Sequence, residues 1–368
     1  MKVKLEDVCE RGSSNLKQSD VVDMTGDYPI YGASGYIGNV DFYHQENPYV
    51  AVVKDGAGIG RTSLHPAKSS VIGTMQYLLP KDNVLPEYLY YVVSYMHLEK
   101  YFTGATIPHI YFKDYKNEKF NLDSLDKQKE IIDSLGRCKR VIESRNKELQ
   151  LLDNLIKARF VEMFGDPIKN PKGWDVVKLS ECLERIDNGK SFTCGSNARE
   201  GAFPAILKLS AATYGDYRPY ENKVLLDEKQ FVESVEVHRG DLLFTRKNTP
   251  DLVGMAVYVF ETPEKLMMPD LIFRLVTNER MTPIFLWQLI NNREFRPVIQ
   301  GISGGSAKSM SNISKERLKN IEVICPPIFE QKKLEGVLEQ VNKSRVAIQA
   351  ALDKSQLLFD SLMQKYFG

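Results

Sequence analysis

The sequence has few cysteines, no long apolar run and almost no net charge, and each of these shortages argues against a class of protein. Its five cysteines are scattered and form no Cys-x-x-Cys pair, which argues against a disulfide framework or a zinc site and predicts reduced thiols. No stretch of about 18 consecutive apolar residues exists, so we expect no membrane-spanning helix. The charged first residues lack an apolar signal core, and we therefore expect a cytoplasmic protein.

Charge does not identify a partner by itself. The formal net charge is +1, and basic and acidic residues nearly balance in residues 1–122 and again in residues 166–327. A strongly negative partner, such as a nucleic acid, would have to be bound by local basic clusters.

Catalytic motifs are also missing. The methyltransferase motif Asn/Asp-Pro-Pro-aromatic fails at residues 47–49, where the second proline is absent, and Pro269-Asp270 is not followed by the Glu-x-Lys of a nuclease. No nucleophile elbow, His-Glu-x-x-His or complete P-loop is present. The sequence therefore predicts neither a catalytic site nor a metal site.

What the sequence does contain is a heptad seam in residues 125–165. Apolar residues recur at steps of four and three, with Arg145 and Arg159 at the two remaining seam positions, which predicts a helix that packs along another helix. The pattern returns in residues 328–368 at a constant offset of 203, so that Gln128-Lys129 corresponds to Gln331-Lys332. Two unrelated amphipathic helices are the alternative, but they would not share a register.

The regions in front of the two seams are alike at their ends. Residues 177–182 repeat the pattern of residues 3–8, and residues 283–287 repeat that of residues 86–90, whereas the middles share little. The sequence thus predicts an internal duplication of an α+β protein, with a pseudo-two-fold repeat of α/β globules and long helices. The predicted boundaries are 1–122 and 169–322 for the globular domains, and 123–168 and 323–368 for the spacer helices.

Candidate contact residues in the first domain lie in three loops, which are residues 28–38, 54–63 and 104–110. Residues 54–63 follow a strand signal at residues 49–53 and would present two basic side chains to a polyanion, although an ordinary tight turn is the alternative. Residues 28–38 combine aromatic residues and glycine, which suits close approach to a groove-shaped ligand or a plain hairpin connection. The candidates are Tyr31, Ser34, Tyr36, Lys54, Arg61, Thr62, Thr106 and His109.

The second domain has its sharpest basic cluster directly after a strand signal of the buried type. Residues 246–249 supply Arg, Lys, Asn and Thr, side chains that reach guanine edges, adenine edges and phosphates; a solvated strand end is the alternative. Residues 207–214 and 306–312 are further polar stretches with one lysine each. The candidates are Lys208, Ser210, Thr213, Arg246, Lys247, Asn248, Thr249, Ser306, Lys308 and Asn312.

Together these features resemble the specificity (S) subunit of type I restriction–modification systems. The resemblance rests on the duplicated seam with its Gln-Lys starts and Phe-Gly ends, and on the boundary at residues 164–167. It rests also on residues 243–249 and on the loops at 28–32 and 54–62, and it covers essentially the whole chain.

The resemblance implies that each globule is a target-recognition domain that reads one half of a split double-stranded DNA site. The two helices would pair antiparallel as a coiled coil, fix the gap between the half-sites and dock two methylation subunits. It implies a non-catalytic chain without a bound cofactor, since S-adenosylmethionine, ATP and Mg would belong to the methylation and restriction subunits. The alternatives are a self-contained methyltransferase or nuclease, a stand-alone DNA-binding protein, and a coiled-coil scaffold whose globules bind protein.

Overall fold

The computed structural model describes residues 1–103, 108–304 and 310–368. The chain divides into two compact units, and the division falls inside both predicted spacer helices. Unit 1 comprises Met1–Lys147 together with Ile348–Gly368, and unit 2 comprises Glu148–Ala347. Each unit therefore contains one globule and a segment of both long helices. Within the described residues, no helix is long and apolar enough to cross a membrane.

The first half of the chain ends in a helix of 40 residues. The strands up to that point are β1 (Lys2–Lys4), β2 (Cys9–Ser13), β3 (Tyr28–Gly32), β4 (Gly35–Val40), β5 (Tyr49–Val53), β6 (Thr62–His65), β7 (Ser70–Val71), β8 (Met75–Pro80) and β9 (Lys119–Asn121). The helices are α1 (Leu5–Val8), α2 (Gln18–Val21), α3 (Pro86–Tyr95), α4 (Phe112–Tyr115) and α5 (Leu125–Phe164).

The second half follows the same plan and also ends in a helix of 40 residues. Its strands are β10 (Val176–Lys178), β11 (Leu183–Asn188), β12 (Ala205–Leu207), β13 (Asn222–Val224), β14 (Leu242–Thr245), β15 (Lys247–Asn248), β16 (Ala256–Tyr258), β17 (Leu266–Met267), β18 (Ile272–Thr277), β19 (Ser311–Asn312) and β20 (Glu322–Ile324). Its helices are α6 (Pro283–Ile290), α7 (Arg296–Gly301), α8 (Lys315–Lys319) and α9 (Ile328–Phe367).

The two globules share one sheet topology. Unit 1 contains a four-stranded sheet of order β2-β8-β5-β6, and unit 2 contains the matching order β11-β18-β14-β16. Each also has a three-stranded sheet, β4-β3-β7 or β13-β12-β17, in which the last pair of strands runs parallel. Every residue of β5 and β14 is buried, as expected of central strands, and the predicted duplication is confirmed.

A buried glutamine attaches each long helix to the proline-initiated helix of the same unit. In unit 1, Gln128 Oε1 accepts from Leu85 N–H at 2.8 Å, and Nε2 donates to the carbonyls of Asn83 and Asp123 at 3.0 Å each. In unit 2, Gln331 Oε1 accepts from Thr282 N–H at 2.9 Å, and its amide nitrogen again donates to two carbonyls. Both glutamines are fully buried, so each satisfies three backbone groups that would otherwise lack a partner.

Within each unit the beginning of one long helix lies with the end of the other. Ile131 and Leu135, early in α5, share the unit 1 core with Met363, late in α9. In unit 2, Phe160, late in α5, shares a core with Leu334, early in α9. The segments therefore run antiparallel in each unit, as predicted. Every seam position of both helices is buried or half-buried, which confirms the heptad reading.

Each long helix also ends on a globule other than the one that precedes it in the chain. Phe164, the last residue of α5, is fully buried in unit 2, with its ring centroid 4.8 Å from that of Phe285 on α6. Phe367, the last residue of α9, lies in unit 1, 5.4 Å from Tyr88 on α3. The glycine that follows Phe164 adopts φ +79, which lets the backbone leave the helix.

Candidate nucleic-acid interface

Nine of the predicted contact residues that the structure describes lie where the central strand of a globule ends. We call this region the contact edge: residues 54–62 with 108–112 in unit 1, and residues 246–256 with 310–315 in unit 2. In unit 1, Lys54 follows β5 directly. Its N–H donates to the carbonyl of Thr74 at 2.9 Å, and its carbonyl accepts from Ile110 N–H at 3.0 Å. The backbone of Lys54 is thus held from both sides, and its side chain is half-buried.

The contact edge of unit 2 repeats this backbone arrangement with arginine. Arg246 follows β14, its N–H donates to the carbonyl of Leu271 at 3.0 Å, and its carbonyl accepts from Ile313 N–H at 2.8 Å. Lys54 and Arg246 therefore occupy one position of one scaffold. A cation stands at that position in both units although the surrounding sequences share little.

A glycine closes the turn at each contact edge. Gly60 N–H donates to Val53 O, and Gly254 N–H donates to Thr245 O, both at 2.8 Å. Gly60 has φ +80 and Gly254 has φ +74, and a Cβ would lie 2.5 Å from Glu99 N in the first case and 2.3 Å from Ile299 Cγ2 in the second. Glycine is the residue that fits both the conformation and the space at each position, so each turn is closed by a glycine although the two turns differ in length.

An acidic residue outside the predicted contact set, Asp55, organises the contact edge of unit 1. Asp55 lies 2.6 Å from Nδ1 of His109 and 3.7 Å from the ammonium of Lys54. His109 is fixed further by two backbone hydrogen bonds with Thr103, each 2.8 Å long. The structure thus gives the predicted histidine a carboxylate partner, which no local sequence pattern shows because 54 residues separate the two.

Two other predicted residues of unit 1 lie across the turn from this pair. Arg61 is exposed, and its guanidinium lies against Gly58, where an added Cβ would be only 2.4 Å from Nη2. Thr62 is half-buried, and its hydroxyl donates to the carbonyl of Gly60 at 3.3 Å. The cation of Arg61 is consequently accessible, whereas Thr62 mainly supports the turn.

The aromatic hairpin β3–β4 packs against β5 near the contact edge. Tyr31 belongs to the same apolar cluster as Val53, and its ring centroid lies 4.4 Å from that of His65 and 6.0 Å from that of Tyr36. Ser34, at the tip, and Tyr36 are exposed. The hydroxyl of Tyr31 is protonated at neutral pH and available as a hydrogen-bond donor, and burial raises its pKa further.

Burial also acts on the histidine beneath this hairpin. His65 is 6% exposed, and burial lowers the pKa of its imidazole to about 4. Its ring stacks at 5.3 Å on Tyr49, and Nε2 lies 2.7 Å from the hydroxyl of Ser63. His65 is therefore neutral under physiological conditions and serves packing.

In unit 2 two cationic side chains lie against the same aromatic ring. The guanidinium of Arg246 lies 5.1 Å from the ring centroid of Phe273, and the ammonium of Lys315 lies 5.6 Å from it. Arg246 also donates to Asn312 Oδ1 at 3.3 Å, which joins two predicted residues. Lys315 is not among the predicted contact residues. Its counterpart at the 203-residue offset is Phe112, which carries no charge, so the repeat does not indicate a basic position there.

The remaining predicted residues at this edge differ in exposure. Lys247 is half-buried and pairs across β15 and β19 with Asn312, while Thr249 is exposed. Asn248 is 7% exposed, and its amide donates to the hydroxyl of Thr213 at 3.2 Å. Thr213, which is also buried, donates in turn to the carbonyl of Leu209. Asn248 and Thr213 thus fix the loop and present little surface to a ligand.

Lys208 and Ser210 share one acidic partner. The ammonium of Lys208 lies 3.5 Å from Glu221 Oε2, and the hydroxyl of Ser210 donates to the same oxygen at 3.0 Å. Nearby, and unpredicted, the guanidinium of Arg218 lies 4.7 Å from the ring centroid of exposed Tyr214. This part of unit 2 therefore has its charges internally balanced.

Three predicted contact residues fall in the parts of the chain that the structure does not describe. Thr106, Ser306 and Lys308 lie outside the described residues. Among the residues that are described, no three His, Cys, Asp or Glu side chains are grouped as they would be to hold a metal ion.

Two similar α+β units, each with a cation at the end of its central strand, define a protein built by duplication of one domain. A family model described as "Type I restriction modification DNA specificity domain" matches residues 1–154 and again residues 171–355. The chain belongs to this family. The two matched regions correspond to the duplication that the sheets show.

Individual relatives agree with the family. The chain is 28% identical over 192 residues to the type I restriction enzyme EcoEI specificity subunit of Escherichia coli, covering 52% of this chain and 32% of that protein. It is 23% identical to the MjaVIII specificity subunit of Methanocaldococcus jannaschii, covering 83% and 75% respectively. The match thus spans only about a third of the first relative.

A solved structure supports the fold. The fold matches that of the S subunit of the type I restriction–modification system from M. genitalium, with a TM-score of 0.64 and 14% sequence identity. The match covers 100% of this chain and 96% of that one.

Proposed function

We propose that this chain is the DNA-recognition subunit of a type I restriction–modification complex. Each unit would contact one half of a split site in double-stranded DNA. The observation that carries the proposal is the repeated contact edge, in which Lys54 and Arg246 occupy equivalent backbone positions in two different side-chain settings. A protein that reads two unlike sequences with one scaffold needs this combination of fixed backbone and variable side chains.

The cations of the two contact edges, of which Arg61 is exposed and the others are half-buried, would provide phosphate and base contacts. In unit 1 these are Lys54 and Arg61, beside the Asp55–His109 pair. In unit 2 they are Arg246, Lys247 and Lys315. An arginine that binds guanine through two hydrogen bonds contributes roughly 1–3 kcal/mol of discrimination. The buried Asn248 and Thr213 act by positioning the loop.

The sequence lacks the methyltransferase and nuclease motifs named above, and in this proposal the chemistry comes from partner subunits. We propose that two methylation subunits supply S-adenosylmethionine and methyl transfer, and that restriction subunits supply ATP- and Mg-dependent translocation and cleavage. Because the chain is nearly neutral overall, its own DNA binding should be weak and salt-sensitive, with tight binding only in the complex.

Selection from a random pool of DNA duplexes tests this function. The chain, produced together with methylation subunits of a type I system, should enrich a site of two short specified blocks separated by a gap of constant length. Variants of exposed Arg239, at the opposite end of β14, serve as the control and should enrich the same site. A single continuous block, or tight specific binding by the chain alone, would contradict the proposal.

A further inference from the structure

Two of the five cysteines lie side by side in unit 2. Cys182 follows the helical turn Leu179–Glu181, and Cys325 follows β20, yet their sulfur atoms are only 3.9 Å apart. Cys182 is fully buried, whereas Cys325 is partly exposed. Among the residues that the structure describes, no other cysteine pair is this close. No local sequence pattern indicates this pair, because 143 positions of the chain separate the two cysteines.

The local fold holds the two sulfur atoms together. Cys182 N–H donates to the carbonyl of Leu179 at 3.0 Å, and Cys325 N–H donates to that of Asp175 at 2.7 Å. The strands that precede the cysteines, β10 and β20, pair antiparallel, with Val176 opposite Ile324. A disulfide bond of about 2 Å could therefore form with a small side-chain movement and an intact backbone.

The surroundings favour a thiolate on the exposed member of the pair. The pKa of Cys325 is lowered to about 7, first by a hydrogen bond from the thiol of Cys182 and then by the nearby guanidinium of Arg280. The same hydrogen bond, together with burial, raises the pKa of Cys182. Because the thiolate is the nucleophilic form of cysteine, Cys325 is the reactive sulfur and Cys182 the resolving one.

We propose that Cys182 and Cys325 form a modification site that hydrogen peroxide oxidises to a disulfide. The Cys325 thiolate attacks one peroxide oxygen and breaks the O–O bond; the departing hydroxide takes a proton from solvent and leaves as water, and Cys325 becomes a sulfenic acid. The Cys182 sulfur then attacks the Cys325 sulfur and breaks the S–O bond. The thiol proton of Cys182 leaves with that hydroxide as a second water. Two thiols are oxidised by two electrons, and one peroxide is reduced.

The bond would connect the first turn of the unit 2 globule to the start of α9. It would close a loop across 143 positions of the chain. It would also lie beside Gln331, whose amide nitrogen donates to the carbonyl oxygen of Arg280, 3.6 Å from the sulfur of Cys325. The equivalent positions of unit 1 hold Val8 and Leu122, which cannot be oxidised in this way. Oxidation would therefore stabilise unit 2 against unfolding and leave unit 1 unchanged.

Thiol counting and peptide mapping test the inference on the full chain. One equivalent of hydrogen peroxide should lower the free thiols from five to three, reduce the mass by two hydrogens, and yield a single linked peptide pair containing Cys182 and Cys325. Hydrogen exchange followed during thermal unfolding should show that the melting temperature of unit 2 rises by roughly 5–15 °C. Adding dithiothreitol should reverse this rise. Mapping of the natural chain needs no variant, so a folding defect cannot obscure the result.

Variants identify the role of each sulfur. Cys182→Ser should accumulate a sulfenic acid at Cys325 that a dimedone probe labels, whereas Cys325→Ser should remain unlabelled at Cys182. Cys194→Ser, a half-buried cysteine in the same unit, is the matched control and should form the disulfide at the natural rate. Oxidation first at Cys194 or Cys138, or a linked pair other than Cys182–Cys325, would overturn the proposal.

Discussion

Units 1 and 2 place the same backbone hydrogen bonds around different side chains. After the central strand, unit 1 continues with Lys54, Asp55 and a glycine, whereas unit 2 continues with Arg246 and Lys247. The backbone groups of Lys54 and Arg246 bond to equivalent neighbours at nearly equal distances. Side chains at the contact edge can therefore change without loss of the fold, because backbone hydrogen bonds and a turn glycine hold it in place.

The connection beside the contact edge differs more strongly. In unit 1, β3 and β4 are joined by a tight turn, with Gly32 opposite Gly35. In unit 2, residues 208–221 intervene between β12 and β13, and they bring Thr213 against Asn248. The second unit thus supports its loop with a buried hydrogen bond, where the first presents an exposed aromatic hairpin.

The cores differ at one equivalent position of the central sheet. In unit 1 this position holds Tyr77, whose hydroxyl accepts from Val71 N–H at 2.9 Å. In unit 2 it holds Arg274, which pairs with Asp241 at 3.1 Å. Burial raises the pKa of Asp241, so this ion pair offsets a desolvation cost that the tyrosine of unit 1 does not have.

Each long helix ends on a globule other than the one that precedes it in the chain, and this arrangement predicts the largest effect on stability. Phe164→Ala should destabilise unit 2 by about 4 kcal/mol, because a fully buried phenylalanine is lost. Phe367→Ala should destabilise unit 1 by about 2 kcal/mol, because that ring is only partly buried. Denaturant unfolding followed by hydrogen exchange in each unit measures both. Val161→Ala and Leu358→Ala, which alter exposed residues of the same two helices, are the controls. A loss of stability in unit 1 on Phe164→Ala would contradict the assignment of this helix end to unit 2.

The two buried glutamines predict a smaller, symmetrical effect. Gln128→Ala should weaken unit 1, and Gln331→Ala should weaken unit 2, each by about 3 kcal/mol, because three backbone groups lose their partners. The adjacent exposed substitutions Lys129→Ala and Lys332→Ala should change either unit by less than about 0.5 kcal/mol. Unequal losses in the two units would show that the duplicated attachment differs in strength.

The loss of stability at acid pH should differ between the units, by a still smaller free energy. The pKa of His65 falls from 6.5 to about 4 on folding, so protons bind the unfolded chain more readily and stability is lost as the pH drops through that range. Unit 1 should lose about 2 kcal/mol at pH 5 relative to pH 7.5 through this residue. His65→Phe should remove that loss, as measured by the pH dependence of unit 1 unfolding. The equivalent residue of unit 2 is Val259, and an identical response in both units would contradict the assignment.

The helices were the most predictable part of the molecule. Heptad spacing and a constant offset are local patterns, so the sequence predicts both seams and their duplication. The proline starts of α3 and α6 and the strands around Tyr49–Val53 and Leu242–Thr245 were readable for the same reason. The order of strands within each sheet was not, because it depends on pairing between distant segments.

The candidate site was only partly predictable. Basic residues after a strand signal indicate a contact edge, but partners such as Asp55 for His109 come from distant loops. Burial of Thr213 and Asn248 depends on a tertiary contact, and Lys315 is unmatched in the repeat. Sequence therefore identifies accessible charge better than it separates contact residues from positioning residues. The DNA-contact assignments themselves remain predictions.

Binding by reciprocal variants tests the central claim that each contact edge reads one half-site. The complex would be measured on the selected duplex and on two duplexes with one half-site altered. Arg246→Ala with Lys247→Ala should lose roughly ten- to a hundredfold in affinity and become insensitive to changes in one half-site only. Lys54→Ala with Arg61→Ala should become insensitive only to changes in the other. If both variants lost sensitivity to both half-sites equally, the contact edges would not be separate readers.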